Sequence, residues 1–228
     1  MNIRGVFESM NETRNKQTNL VFEWATALIL FFFIVSFSVT FTLNFRPLYY
    51  LDIDALNIEQ YSGLPKEEIK ANYDVLIDYN SILGGMEELE FPTLAMSETG
   101  RIHFEEVKVI FVFFQWAAIV CFVLAAVFIY WNEKKDNFKF WKYTSILSVG
   151  IPSILGALIA LNWDMVFVLF HKIMFNNDYW IFDASTDPVI MILPDSFFMH
   201  CAIMILGCVI VGSVGCMIKY VNVKRKSI

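Results

Sequence analysis

Four apolar blocks, residues 20–44, 107–131, 143–163 and 197–219, limit what this chain can fold into. Each is close to the roughly 20 residues that carry a helix across a hydrocarbon core of about 30 Å. No water is available there to pair with backbone amides, so the blocks must be helices, which close their own hydrogen bonds. Composition agrees: the chain is 57% hydrophobic and 18% charged, where soluble domains run at roughly 45–50% and about 25%. The expected class is a mainly α membrane protein, with four transmembrane helices and a small extracytoplasmic cap. A shorter apolar run, 165–175, holds His171 and Lys172 and cannot cross; it reads as an interfacial helix or an extension of the third span.

The first block is longer than the roughly 7–15 residues of a signal-peptide core, and no small-residue cleavage site follows it, so an uncleaved anchor is expected. Basic residues give the orientation. Arg4, Arg14 and Lys16 lie in the tail 1–19, Lys134, Lys135, Lys139 and Lys142 in the connection 132–142, and Lys224, Arg225 and Lys226 in the tail 220–228. With four spans these fall on one side, so both termini are expected in the cytoplasm. The cap, 45–106, and a second outer segment, 164–196, then face outward. Acidic residues dominate the cap, and the net charge of -6 makes nucleic acid an improbable partner. Cys121, Cys201, Cys208 and Cys216 all fall in spans and read as small buried hydrophobes. Gly207, Gly212 and Gly215, with Gly150, Pro152 and Gly156, read as points of close helix approach.

Within the cap, Pro65 suits a first helical position and Glu67 and Glu68 a first turn. Ile69, Tyr73, Leu76 and Ile77 repeat at helical spacing, and Gly84-Gly85 read as the stop. Residues 89–96 and 101–104 flank Ser97-Glu98-Thr99-Gly100 and read as a hairpin or loop. In the second segment, Pro188 and Pro194 bracket an apolar stretch expected along the interface.

The chain has three histidines. His103 precedes the second span and His171 follows the third, so both belong at the outer interface. Acids accompany each: Glu105 and Glu106 beside His103, Asp178 and Asp183 after His171. Imidazole can exchange a proton near neutral pH, and a carboxylate can fix its tautomer. The other reading is two ordinary interfacial histidines. His200, at the top of the fourth span, reads as structural. The Gly-x-Ser-x-Gly elbow, the phosphate loop and the dinucleotide fingerprint are all missing. A zinc site from His103, His171 and a carboxylate matches no metal-ligand spacing, so neither metal nor cofactor is expected.

Several stretches together are more specific. Tyr49-Tyr50-Leu51-Asp52-Ile53 follows the first span, and Asn72-Tyr73, Leu76 and Tyr79-Asn80 lie in the cap. His103-Phe104-Glu105-Glu106-Val107-Lys108 leads into the second span. Phe170-His171-Lys172-Ile173-Met174-Phe175-Asn176-Asn177-Asp178-Tyr179-Trp180-Ile181-Phe182-Asp183 leads on to Asp187-Pro188 and Leu193-Pro194. Across nearly its whole length the chain resembles the bacterial lipoprotein intramolecular transacylase family, departing from it at Phe104, Glu106 and Ala184.

The resemblance implies an acyltransferase of the bacterial cell membrane, with Gram-positive bacteria as the expected setting. Its partners would be membrane lipid and a substrate lipoprotein whose N-terminal Cys carries a diacylglyceryl group. Such enzymes move the sn-2 acyl chain to the α-amine of the same Cys, giving the lyso form. His103 and His171 are the implied catalytic pair, one as base and the other as acid or oxyanion donor. Asn177 and Asp178 are candidates to hold His171 or the ester carbonyl. Tyr49, Tyr50, Trp163, Tyr179 and Trp180 could line an aromatic pocket, or form an ordinary interfacial belt. Glu105, Glu106 and Asp183 complete the orienting candidates. Two other classes compete: a non-catalytic accessory protein whose cap binds a partner, and a small transporter, thinly supported by Ser36, Ser38, Thr40, Ser145 and Asn162.

Overall fold

A computed structural model of the chain describes residues 3–226, and its side chains from residue 17. The remaining terminal residues, and the side chains of Arg4, Arg14 and Lys16, lie outside the described residues. The order is α1 (Ile3–Asn44), α2 (Arg46–Ala55), α3 (Ile58–Ser62), α4 (Lys66–Asn80), α5 (Glu98–Glu133), α6 (Lys139–Leu161), α7 (Trp163–Met174), a 3-10 turn (Pro188–Met191) and α8 (Asp195–Lys226). No strand occurs among the described residues.

Four helices are long and apolar enough to cross a membrane: Gln17–Asn44 within α1, and α5, α6 and α8. Helix α1 is the hub and packs on each of the others, while α6 also packs on α8. Most of the apolar surface of α5, α6 and α8 faces outward, as a lipid-facing bundle requires. Polar side chains pin the end away from the cap. Asn132 Nδ2 donates to Thr26 Oγ1 at 2.6 Å, and Lys139 N donates to Glu23 Oε1 at 2.9 Å, which caps α6. Of the glycines expected at close approaches, Gly212 behaves so: a Cβ there would sit 2.8 Å from Ile34 Cγ2. Gly156 faces Leu206, whereas Gly150, Gly207 and Gly215 face open space.

The cap is built from both outer segments. Tyr49, Ile53, Ile58, Ile69 and Tyr73 from α2–α4 share a core with Val189, Ile192, Leu193 and Phe197. Tyr49 stacks on Tyr73 with centroids 3.7 Å apart, and its hydroxyl donates to Ile192 O at 2.6 Å. The apolar stretch between Pro188 and Pro194 therefore belongs to the cap core, rather than lying along the interface. Helix α4 carries the expected apolar face, with Pro65 as its extended N-cap residue, but it stops at Asn80, short of the glycines. Gln115 of α5 explains the stop. Its Nε2 donates to Asn80 O at 2.8 Å and its Oε1 accepts from Ile82 N at 3.1 Å, satisfying the backbone where α4 ends.

The hairpin expected around residues 89–104 is absent, because Ser97 is an N-cap. Its Oγ accepts from Gly100 N at 3.0 Å, and α5 starts at Glu98, within the segment assigned to the cap. With 36 residues, α5 is about 54 Å long, well beyond the hydrocarbon thickness. Its first turns therefore stand above the apolar block. The run after the third span is a separate helix, because Asn162 breaks the chain with extended backbone and its Oδ1 accepts from Met165 N at 2.9 Å.

Candidate active site

Two events set the site, a long-range lock and a local break. The start of α5 is locked by Asp187, which is 2% exposed and whose Oδ1 accepts from Ser97 N at 2.8 Å. His103 follows in the second turn and is 5% exposed. The break at Asn162 starts α7 on a new axis, and His171 lies in its last turn.

The fold brings His103 and His171 together, with ring centroids 6.1 Å apart and planes tilted by 32°. Phe175 touches both rings, at 4.8 Å from His103 and 5.7 Å from His171. Phe182 lies 5.4 Å from His103. Trp180 stacks on His171 at 4.7 Å, and Phe167 lies 4.2 Å away on its other flank. Phe167, Phe175 and Phe182 carry no chemistry that could have flagged them. Phe175 and Phe182 fall in the stretch that carries the family resemblance, and Phe167 is marked only by the aromatic density around His171.

His171 Nδ1 lies 2.8 Å from Phe167 O. A carbonyl oxygen only accepts, so Nδ1 carries the proton and the lone pair of the neutral ring is on Nε2. Burial holds the His171 pKa below its ordinary value, partly offset by this hydrogen bond. His103 Nδ1 is buried with no partner among the described residues, as are Trp180 Nε1 and Glu106 Oε2. Glu106 Oε1 accepts from Asn177 Nδ2 at 2.9 Å, which joins α5 to the loop carrying Trp180.

The other candidates are engaged elsewhere. Tyr49 is spent on the cap core, and the Tyr50 hydroxyl donates to Asp74 at 2.6 Å. Glu105 pairs with Arg101 on the exposed face of α5. Asp183 accepts from Ser185 in a surface turn, and Asp178 and Tyr179 are exposed. His200 binds the buried Asp52 at 2.9 Å, tying α8 to α2.

An apolar groove of about 390 Å³ lies between α6 and α8, lined by Gly156, Ala160, Ile203 and Leu206. Asn162 and Trp163 close one end. From Trp163, rings continue along α7: Trp163 to Phe167 at 5.8 Å, then Phe167 to His171. A larger cavity of about 730 Å³, lined by Asn57, Tyr61 and Asp195 among others, contains none of the histidines.

A family model described as lipoprotein intramolecular transacylase Lit matches residues 24–198. The chain belongs to this family. The family's activity makes it an acyltransferase that modifies lipoproteins, and its four apolar helices make it a multi-pass membrane protein. Among solved structures it is similar to the membrane-integral lipoprotein intramolecular transacylase Lit of Bacillus cereus, at 39% identity and a TM-score of 0.90, over 93% of this chain and 98% of that one. Two variants of that protein, with one histidine replaced by arginine or by alanine, match at 37% and 38% identity with TM-scores of 0.87 and 0.86. The matches cover 96% and 95% of this chain, and 98% of each of those. No curated protein matches.

Proposed function

We propose that the chain moves the sn-2 acyl group of a diacylglyceryl lipoprotein to the α-amine of the same N-terminal Cys. The observation that supports this best is the facing pair of imidazoles, with His171 holding its Nε2 lone pair free. His171 Nε2 takes the proton as the amine nitrogen attacks the ester carbonyl. A ring N–H of His103 donates to the oxyanion. The carbon–oxygen bond then breaks, and the glycerol alkoxide takes the proton back from His171. An ester becomes an amide, so the step runs downhill without ATP or an activated donor. Donor and acceptor belong to one molecule, and the cyclic path between them has about eight members. Orientation is therefore the main task, and the aromatic walls around the two rings suit it.

The groove between α6 and α8 receives the migrating acyl chain, since it is apolar and connects along α7 to His171. The basic residues of the tails and of the connection 132–142 support a cytoplasmic side for both termini, and with it an extracytoplasmic interface for the histidines.

Purified protein given a diacylglyceryl lipopeptide, without added lipid or cofactor, should yield a product of unchanged mass whose amine no longer reacts. A gain of one acyl chain would instead mean transfer from a phospholipid. His171→Ala and His103→Ala are expected to lower the rate roughly 10²–10⁴-fold while remaining folded. Folded variants with full activity would overturn the histidine roles.

A further inference from the structure

Glu106 stands three residues after His103 on α5, so both side chains project from one helix face. One carboxylate oxygen is taken by Asn177 at 2.9 Å, and the other is buried with no partner among the described residues. No cation among the described residues supplies one. Arg101 is engaged by Glu98 and Glu105, while Lys108 donates to Met86 O and lies over the Tyr79 ring at 4.1 Å. A buried carboxylate oxygen without a donor is unfavourable, and a positively charged donor satisfies it best. Asn177 sits in the loop whose Trp180 stacks on His171, so its bond ties Glu106 to a loop that walls the histidine site.

We propose that Glu106, positioned by Asn177, is the seat for the α-ammonium group of the lipoprotein's N-terminal Cys. This rests on the transacylase reading and adds to it a selection step: the free amine is recognised as a cation before any bond forms. A primary ammonium has three N–H donors, so one can bind Glu106 while another faces His171 Nε2. The ammonium first loses one proton to water, which frees the nitrogen lone pair; His171 Nε2 then takes a second proton as the carbon–nitrogen bond forms and returns it to the glycerol alkoxide. A substrate already acylated on nitrogen has no cation to offer and is rejected, so the enzyme does not rebind its own product.

The test measures binding by His171→Ala protein, slowed enough for binding to equilibrate before turnover, to two lipopeptides identical except that one is N-acetylated. Preference for the free amine of about tenfold or more is expected, the range of a charge-assisted hydrogen bond. Adding Glu106→Gln should abolish that preference, and Glu106→Asp should restore part of it. With His171 intact, Glu106→Gln should raise KM for the lipopeptide more than it lowers kcat. Unchanged preference in a folded Glu106→Gln protein would overturn the assignment. If that variant does not fold, Asn177→Ser, which leaves the carboxylate unheld, is read in the same way. Failure of the wild-type protein to convert the lipopeptide would instead overturn the transacylase reading, whatever the binding preference.

Discussion

His171 spends one ring nitrogen on its own helix, and this decides which nitrogen can act as a base. Burial pushes its pKa below the ordinary imidazole value of about 6.5, so the fold favours the neutral ring. The unfolded chain then binds more protons below that value, and stability should fall as pH drops through about 6.5 toward the folded pKa. The thermal midpoint in detergent is expected to be lower at pH 5 than at pH 7.5, with a smaller difference in His171→Phe. A second residue is decisive without touching the chemistry. A Cβ on Gly100 would stand inside the contact radius of Asp187 Oδ1, the atom that accepts from Ser97 N. Asp187 is fully packed and cannot retreat, so Gly100→Ala should cost about 1–3 kcal/mol, read as a lowered midpoint. The histidines were legible as residues at the right level of the chain. The tautomer of His171 was not, because it depends on a helix beginning at Trp163 that puts the Phe167 carbonyl beneath the ring.

At the scale of elements, α5 and α7 position the site; α5 departs from the reading of its sequence, whereas α7 is a separate short helix, one of the two readings of its run. The Ser97-Glu98-Thr99-Gly100 stretch has turn-like composition, yet Ser97 caps a helix that continues unbroken into the span. Residues 101–104 after it, which read as part of a hairpin or loop, lie in the first turns of α5. The stop of α4 at Asn80 was equally hidden, since the group that satisfies its end is Gln115, 35 residues later on another helix. Gln115 is buried, and two of its bonds, to Asn80 O and from Ile82 N, hold the cap to the bundle. Gln115→Leu would leave the Ile82 amide and the Asn80 carbonyl unpaired, at a cost of about 1–3 kcal/mol. The expected result is faster proteolysis in residues 81–97, with the four spans retained.

For the whole molecule, the bundle leaves a groove between α6 and α8 that leads by aromatic rings to His171. Ile203→Trp should fill it. Lipopeptides with long acyl chains are then expected to lose kcat/KM about tenfold while short-chain ones change little, since each buried CH₂ contributes about 0.8 kcal/mol. Equal loss at every chain length would place the chain elsewhere. The amino-acid sequence alone determined the membrane class and the four spans. These follow from a local quantity, apolar block length against bilayer thickness. Its motif stretches also identified the family. Only the tertiary structure decided that the two outer segments share one core, that His103 and His171 face each other, and that Glu106 keeps one oxygen free beside them. Those facts join residues far apart in the chain, 71 positions for Glu106 and Asn177 and 143 for Tyr49 and Ile192, which tertiary packing, not any local pattern, brings within reach.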